Sequence, residues 1–376
     1  MFLAVRELRF ARARFGLMGA VIALIAVLVV LLSGLSVGLV NDGVSGLQRL
    51  PVTSFAFADG VQRDSAFSRS VIDMKAVDTW AGRPDVARAT AYGNTLANAK
   101  SGSGVEIDLA LFGVQPESFL SPQVSEGDRL GAPGGIVVSR TAVDAGLRVG
   151  DTLTVDRVGT TLTVIGVLPG QHTFGHVDVG YVPLRTWQEI RAGLGPDDPV
   201  PAHVHTEITA VAVQARPGAD VDLAGGDQAA GTQSMTLDES FGASPGYTAE
   251  TSTLKLIQYF LYAISALVVG AFFTVWTIQR KHEIAVMRAM GAPTRFLLRD
   301  GLTQALILLL LSAGVGVAAG VGLGSLIGGG GVPFALEASA VAGASLLLIV
   351  LGLLGAVAAI IRITAVDPLT ALGANR

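Results

Sequence analysis

Apolar residues are distributed along this chain in two rhythms. Four stretches are apolar on every side: residues 15–40 (FGLMGAVIALIAVLVVLLSGLSVGLV), 254–278 (uncharged from Leu256 onward), 301–328 and 338–361. A helix needs about 20 apolar residues to cross a bilayer, so each stretch predicts a membrane span. The first far exceeds the roughly 7–15-residue core of a secretory signal, and no small-residue cleavage site follows it, which predicts a retained helix.

Between the first two spans, residues 41–253 change rhythm. GVEIDLALFGV (104–114) and TLTVIGVLPG (161–170) alternate polar with apolar residues, as half-buried strands do. DTWAGRPDVARA (78–89) and SRTAVDAGLRVGD (139–151) predict short helices, and ITAVAVQARPGADVDLA (208–224) predicts a strand, a turn at Arg216–Gly218 and a helix. Residues 192–207 carry three prolines and no periodicity, which predicts an exposed loop. Residues 223–253 predict a Gly- and Ser-rich return to the membrane. The expected fold is therefore a membrane α-helical protein of four transmembrane helices, with a large α+β extracytoplasmic domain between helices 1 and 2.

Composition agrees: of 376 residues, 51% are hydrophobic and only 15% charged, against about 25% charged in ordinary soluble domains. The cations then set the orientation, because Lys and Arg near span ends mark the cytoplasmic side. Arg6, Arg9, Arg12 and Arg14 lie in the N-terminal arm, Arg280, Lys281, Arg288, Arg295 and Arg299 in the connector 279–300, and Arg362 and Arg376 in the tail. The loop 329–337 has no cation. An amphipathic helix 1–14, the connector and the tail 362–376 are thus expected in the cytoplasm of a multi-pass cell-membrane protein, and 41–253 outside.

The chemistry that is missing narrows the function. The chain has no cysteine, no G-x-x-x-x-G-K-[ST] phosphate loop and no H-E-x-x-H; none of Lys75, Lys100, Lys255 and Lys281 follows a glycine. No carboxylate or cation lies inside the uncharged spans to relay protons. No catalytic residue, no resident metal or cofactor and no nucleic-acid partner is expected, and energy for any transport must be applied by another subunit. Gly316, Gly320 and Gly324 recur every fourth residue in the third span, and Gly34 and Gly38 do so in the first. Such faces let backbones approach closely. They suit packing among the four spans or contact in a homodimer.

The connector is patterned. Arg280–Met290 fits a helix with Ile284, Met287 and Met290 on one face; Gly291 predicts its end, and Pro293 the restart of the next helix. Methionines suit an adaptable protein socket. The alternative is an interfacial helix lying on anionic membrane lipid. The segment RKHEIAVMRAMGAP resembles the E-I-A-x-x-R-A-x-G-A-[ST] signature of MacB/FtsX-type permeases of ABC transporters, and the tail ITAVDPLTALGANR is similar to that family's closing D-P-x-x-A-L-R. RELRFARARFGLM and VVSRTAVDAGLRVGDTLTV resemble its N-terminal helix and a strand–helix–strand stretch of its outer domain, so the resemblance covers the whole chain. Pro293 departs from the usual Ser or Thr, and Leu372–Gly373 from Leu–Arg.

The resemblance implies a coupling role for Glu283, Ile284, Met287, Arg288, Ala289, Gly291, Ala292, Asp367 and Pro368, against two copies of a cytoplasmic ATPase that holds ATP–Mg, in a homodimer of this chain. A permease without a fused ATPase most resembles the haem-exporting HrtB-type and DevC-type branches, which implies haem as a transported ligand. A haem binder wants aromatic faces and a carboxylate, Tyr or His for iron. Tyr247, Glu250, Lys255, Tyr259, Phe260 and Tyr262 are the candidates at the outer end of the second span. Interfacial anchoring of Tyr259 and Tyr262, and a helix-start charge at Glu250, are the plainer alternatives. His172 with His176, and His203 with His205, are spaced for a metal relay or are ordinary surface histidines. Other cargoes implied by the family are an antibiotic peptide, glycolipid or lipoprotein. An FtsX-like scaffold that activates a cell-wall hydrolase is the rival of another class.

Overall fold

The computed structural model describes residues 12–131, 133–279, 286, 290–291, 293–328 and 332–364. Most of the expected N-terminal helix and tail therefore lies outside the described residues. The chain divides into two units, residues 40–250 and the remainder.

The second unit is built on four membrane helices, Arg12–Gln48, Tyr247–Gln279, Thr294–Ile327 and Ala338–Thr364. Helix is the form in which apolar sequence crosses lipid, because every backbone group is satisfied within the segment. Phe15, Met18 and Ile22 of the first helix are buried with Val269 and Phe273 of the second, Leu308 and Leu309 of the third and Ala356 and Ile360 of the fourth. Two helices outrun their apolar stretches. The first continues through Asn41–Gln48, and the second begins at Tyr247.

The glycine stripe has an occupant. A Cβ at Gly316 would come within 2.6 Å of Ala26, and one at Gly320 within 2.9 Å of Val30, both on the first helix. A Cβ at Gly34 or Gly324 would press into the Phe334 ring, and one at Gly38 into the Pro333–Phe334 backbone. The Ala335 N–H donates to the Gly34 carbonyl at 3.0 Å, holding that loop down. This corrects the homodimer alternative for these five glycines: their open sides are filled by this chain's own first helix and by residues 333–335. Gly314, on another face, meets nothing within 4 Å. Gly316→Ala is expected to lower stability by roughly 1–3 kcal/mol through overpacking, and Gly314→Ala to stay within about 0.5 kcal/mol of wild type. Thermal unfolding in detergent measures both.

The other unit is a sheet domain. Its strands are β1 (Ser54–Ala58), β2 (Ile72–Asp73), β3 (Val86–Ser101), β4 (Glu106–Val114), β5 (Glu126–Gly127), β6 (Gly135–Val138) and β7 (Thr152–Val155). They continue as β8 (Thr161–Val167), β9 (Thr173–Phe174), β10 (Val177–Pro183), β11 (Glu207–Ile208), β12 (Ala210–Ala215) and β13 (Thr232–Thr236). The main sheet runs β13-β1-β12-β3-β4-β10-β6-β8-β5. β7 pairs with both β3 and β8, which closes β3, β4, β10, β6, β8 and β7 into a ring. The ring is mixed: β4 with β10 and β6 with β8 are parallel, and the other pairs antiparallel.

Strands with apolar residues on both sides join two cores. In β4, Ala110, Phe112 and Val114 face an aromatic core with Phe55, Phe67, Tyr92 and Phe174. Leu109 and Leu111 face the opposite core, with Ile136, Leu162 and Trp187. The aromatic rings meet mostly edge to face, such as Phe57–Phe67 at 5.0 Å and Phe112–Tyr181 at 5.4 Å between centroids. The second half of β4 is therefore buried on both faces rather than half-buried, because a core lies on each side of the sheet.

Three other expectations are corrected. Of the 78–89 region only residues 78–81 are helical, as the end of a helix Lys75–Ala81, and Val86 already starts β3. The 192–207 loop contains a 3₁₀ turn at Ala202–Thr206. The 223–253 return is structured: Asp222 caps a helix at Leu223–Ala230, Asp227 bonds the Thr232 and Ser234 hydroxyls, and Thr236 with Glu239 forms a capping box.

Candidate functional site

The far end of the first membrane helix is gripped by the sheet domain. Val44 and Leu47 are buried in the aromatic core. Gly46 lets the helix lie against Val179 and the Thr173 carbonyl. The strand-to-strand turn from β9 to β10 then wraps that end with polar bonds. Ser45 Oγ accepts from the Thr173 N–H at 3.0 Å and shares a hydrogen bond with Thr173 Oγ1 at 2.8 Å. The Gly175 N–H donates to the Gly43 carbonyl at 2.9 Å, as does Ser244 Oγ. Gln171 Nε2 donates to Asp42 Oδ1 at 3.1 Å.

The turn itself consists of Gly175 and His176, with φ of 59° and 65°. Two positive-φ residues suit a two-residue hairpin, whose twist matches the flanking strands, and His is among the residues that tolerate that region. This places the His176 ring between two carboxylates. Its Nδ1 lies 2.8 Å from Asp42 Oδ2 of the first membrane helix, and its Nε2 lies 3.1 Å from Glu250 Oε2 of the second. The Nε2 contact lacks hydrogen-bond alignment. Tyr247 meets Phe241 edge to face beside the cluster, with centroids 6.2 Å apart.

The candidate residues of the second membrane helix thus fall into three groups. Tyr247 and Glu250 join this collar. Lys255, Tyr259 and Phe260 are exposed, the two rings by 64% and 61%. Tyr262 is buried among Ile25, Ala26, Val29, Ala313 and Leu348. That corrects Tyr262 as an interfacial anchor or an accessible cargo contact: helix packing, not a ligand, covers its ring.

The histidines are corrected too. His172 is 7% exposed, not a surface residue. Burial chiefly, with Arg49 nearby, pushes its pKa down to about 4 against the help of the Gly170 carbonyl. His176 lies between Asp42 and Glu250. His203 and His205 lie in a 3₁₀ turn, and His205 Nε2 meets Glu189 at 3.0 Å. Among the described residues no group of three or more His, Asp and Glu is placed to hold a metal ion. His176 turns opposite nitrogens to its two carboxylates, so its donors diverge.

Beside the collar, Asp178 accepts from Thr141 Oγ1, which also shares a hydrogen bond with Ser139 Oγ at 2.6 Å. Burial raises the Asp178 carboxyl above its ordinary range, opposed by those hydroxyls. Sequence reasoning missed Asp42, Ser45 and Thr173. The available signal was NDGVSG directly after an uncharged run, polar residues with no reason to stay helical unless a protein surface met them.

Of the coupling candidates, only Gly291 lies among the described residues, at φ +90°. The Met290 N–H donates to the Val286 carbonyl at 3.0 Å, one helical turn before it, and Pro293 caps the third membrane helix, which starts at Thr294. Glu283, Ile284, Met287, Arg288, Ala289, Ala292, Asp367 and Pro368 lie outside the described residues.

Known proteins resemble the chain along its whole length. Residues 16–227 match the MacB-like periplasmic core domain, and residues 256–368 match the FtsX-like permease C-terminal family. The proposed hemin transport system permease HrtB of Staphylococcus epidermidis is 24% identical over 377 residues, covering 100% of both chains. An uncharacterized ABC transporter permease of Mycobacterium tuberculosis is 25% identical over 384 residues, covering 99% of each. Among solved structures, the periplasmic region of MacB from Actinobacillus actinomycetemcomitans is 13% identical, with TM-score 0.36, over 50% of this chain and 89% of that one. The extracellular domain of the transporter YknZ from Gram-positive bacteria is also 13% identical, with TM-score 0.34, over 49% and 98%. Four membrane helices with an α+β domain between the first two, and two family matches that together take up most of the sequence, have one consequence: the chain belongs to the MacB/FtsX-type permeases of ABC transporters.

Proposed function

We propose that the chain is the membrane subunit of an efflux transporter driven by a separate cytoplasmic ATPase, working as a homodimer with two ATPase copies and exporting haem. The observation that carries the cargo is the end-to-end similarity to a proposed hemin permease. The basic arm, connector and tail support a cytoplasmic position for both termini, leaving residues 41–253 outside. Lys255, Tyr259 and Phe260 offer a cation, a phenol and a ring on exposed helix surface, chemistry that suits a propionate, ferric iron and a porphyrin face.

The test is the ATPase rate of the chain reconstituted with its ATPase partner, with and without haem. Stimulation of several-fold is expected, together with a Soret band on the purified chain that weakens in Tyr259→Phe. A rate indifferent to haem and a colourless chain would refute haem as cargo. In that case, loss of a wall-hydrolase response on deleting residues 54–240 would favour the scaffold role.

In this reading Asp42–His176–Glu250 ties the two membrane helices that carry the outer domain, so that a rock of one moves the other. Its members are 24–38% exposed, and such ion pairs contribute only about 0–1 kcal/mol to stability. His176→Ala should therefore leave thermal unfolding almost unchanged while cutting export by about 10-fold. Unchanged export in vesicles would remove the collar from the coupling route.

A further inference from the structure

A cavity lies in the sheet domain, away from the collar. It has a volume of about 320 Å³ and is lined by Ser68, Thr95, Trp187, Arg191 and Glu207, among others. Trp187 and Arg191 lie on the helix Leu184–Arg191, and Gln188 of the same helix donates to the His205 and Glu207 carbonyls at 3.0 and 2.9 Å. That pins the wall that carries Glu207.

The charged groups facing this space are incompletely used. The Trp187 ring is fully buried against Gly93 and Gly113. Arg191 lies over the Trp187 ring at 5.4 Å and donates one N–H to the Ser70 carbonyl at 3.1 Å. Burial lowers its pKa, opposed by the charge of Glu207. Arginine carries five N–H donors, so most of its capacity is not taken up by protein. The Glu207 carboxylate has no hydrogen bond or ion pair among the described residues, and it does not close onto Arg191.

Two opposite charges therefore face one small space without pairing. An anion alone would meet Glu207, and a cation alone would meet Arg191. A molecule with both signs satisfies both walls. The geometry points to a binding site for a small zwitterion, an α-amino acid or a dipeptide. Its carboxylate lies on Arg191 and its ammonium on Glu207. The volume falls at the lower end of the roughly 300–1,000 Å³ of small-molecule sites. The site is independent of the export reading.

Calorimetric titration of the full chain in detergent tests it, with glycine, L-alanine, L-alanyl-L-alanine, acetate and methylammonium as probes. At least one zwitterion should bind about 10-fold or more tightly than acetate or methylammonium, because each ion leaves one wall uncompensated. Preference between alanine and the dipeptide separates a free amino acid from a dipeptide. Glu207→Gln should weaken binding about 10-fold, and its side chain makes no contact the fold requires. Equal affinity for acetate and the zwitterions, no binding by any probe, or full affinity in Glu207→Gln with unchanged circular dichroism would overturn the proposal.

Discussion

Gly291→Pro is expected to leave the chain inserted in the membrane and to abolish export. Gly291 has φ +90°, a region that glycine enters freely and that costs other L-residues about 1–2 kcal/mol. Proline cannot enter it at all, because its ring holds φ near −65°. The turn between Met290 and the Pro293 cap must then take another course, which re-aims the segment before it relative to the helix that starts at Thr294. If that segment is what the ATPase grips, the lever is disconnected while its four helices stay intact. Immunoblots of membrane fractions should show near-normal amounts of chain, export should fall to background, and the ATPase of the reconstituted pair should no longer respond to cargo. Gly291→Ala should fall between. Glu283→Lys, which alters charge without altering the turn, should uncouple similarly. Export at wild-type rate in Gly291→Pro would show that the turn plays no part in coupling.

How far the sequence revealed this protein depends on which force acted at each place. Lipid imposes a one-dimensional constraint, so uncharged runs mark the spans directly. Where the same helix leaves lipid the constraint is lost. Asn41–Gln48 looks like a loop but stays helical, because Ser45 bonds Thr173 and Leu47 enters the aromatic core. The glycine spacing revealed a close approach but not the partner. Phe334 lies in an unpatterned loop and meets Gly34 and Gly324 only in three dimensions. The collar was still less legible. Asp42 and His176 are 134 positions apart, and single-sequence patterns carry no information about such pairing. Glu250 and Tyr247 were singled out as possible ligands, and the fold instead gives them neighbours in the protein itself.

The buried His172 yields the other large effect, a stability that falls with acidity. Its pKa in the fold is about 4, against about 6.5 in an unfolded chain. Between those values the unfolded chain binds a proton that the folded chain refuses, so stability rises with pH. His172 thus contributes fully above about pH 6.5 and loses its contribution as pH falls toward 4. The difference amounts to about 3 kcal/mol. Carboxylates titrate near the lower limit as well, so the useful quantity is the difference between wild type and His172→Gln. Trp80 and Trp187 are both fully buried in the sheet domain, and with Trp276 of the second membrane helix replaced by Phe in both proteins their emission reports its unfolding. Urea unfolding at pH 7 and pH 4.5 should show wild type losing about 2–3 kcal/mol more than the variant. Parallel losses in the two proteins would mean that the folded state accepts the proton on His172, and that the collar beside Thr173 is open to water.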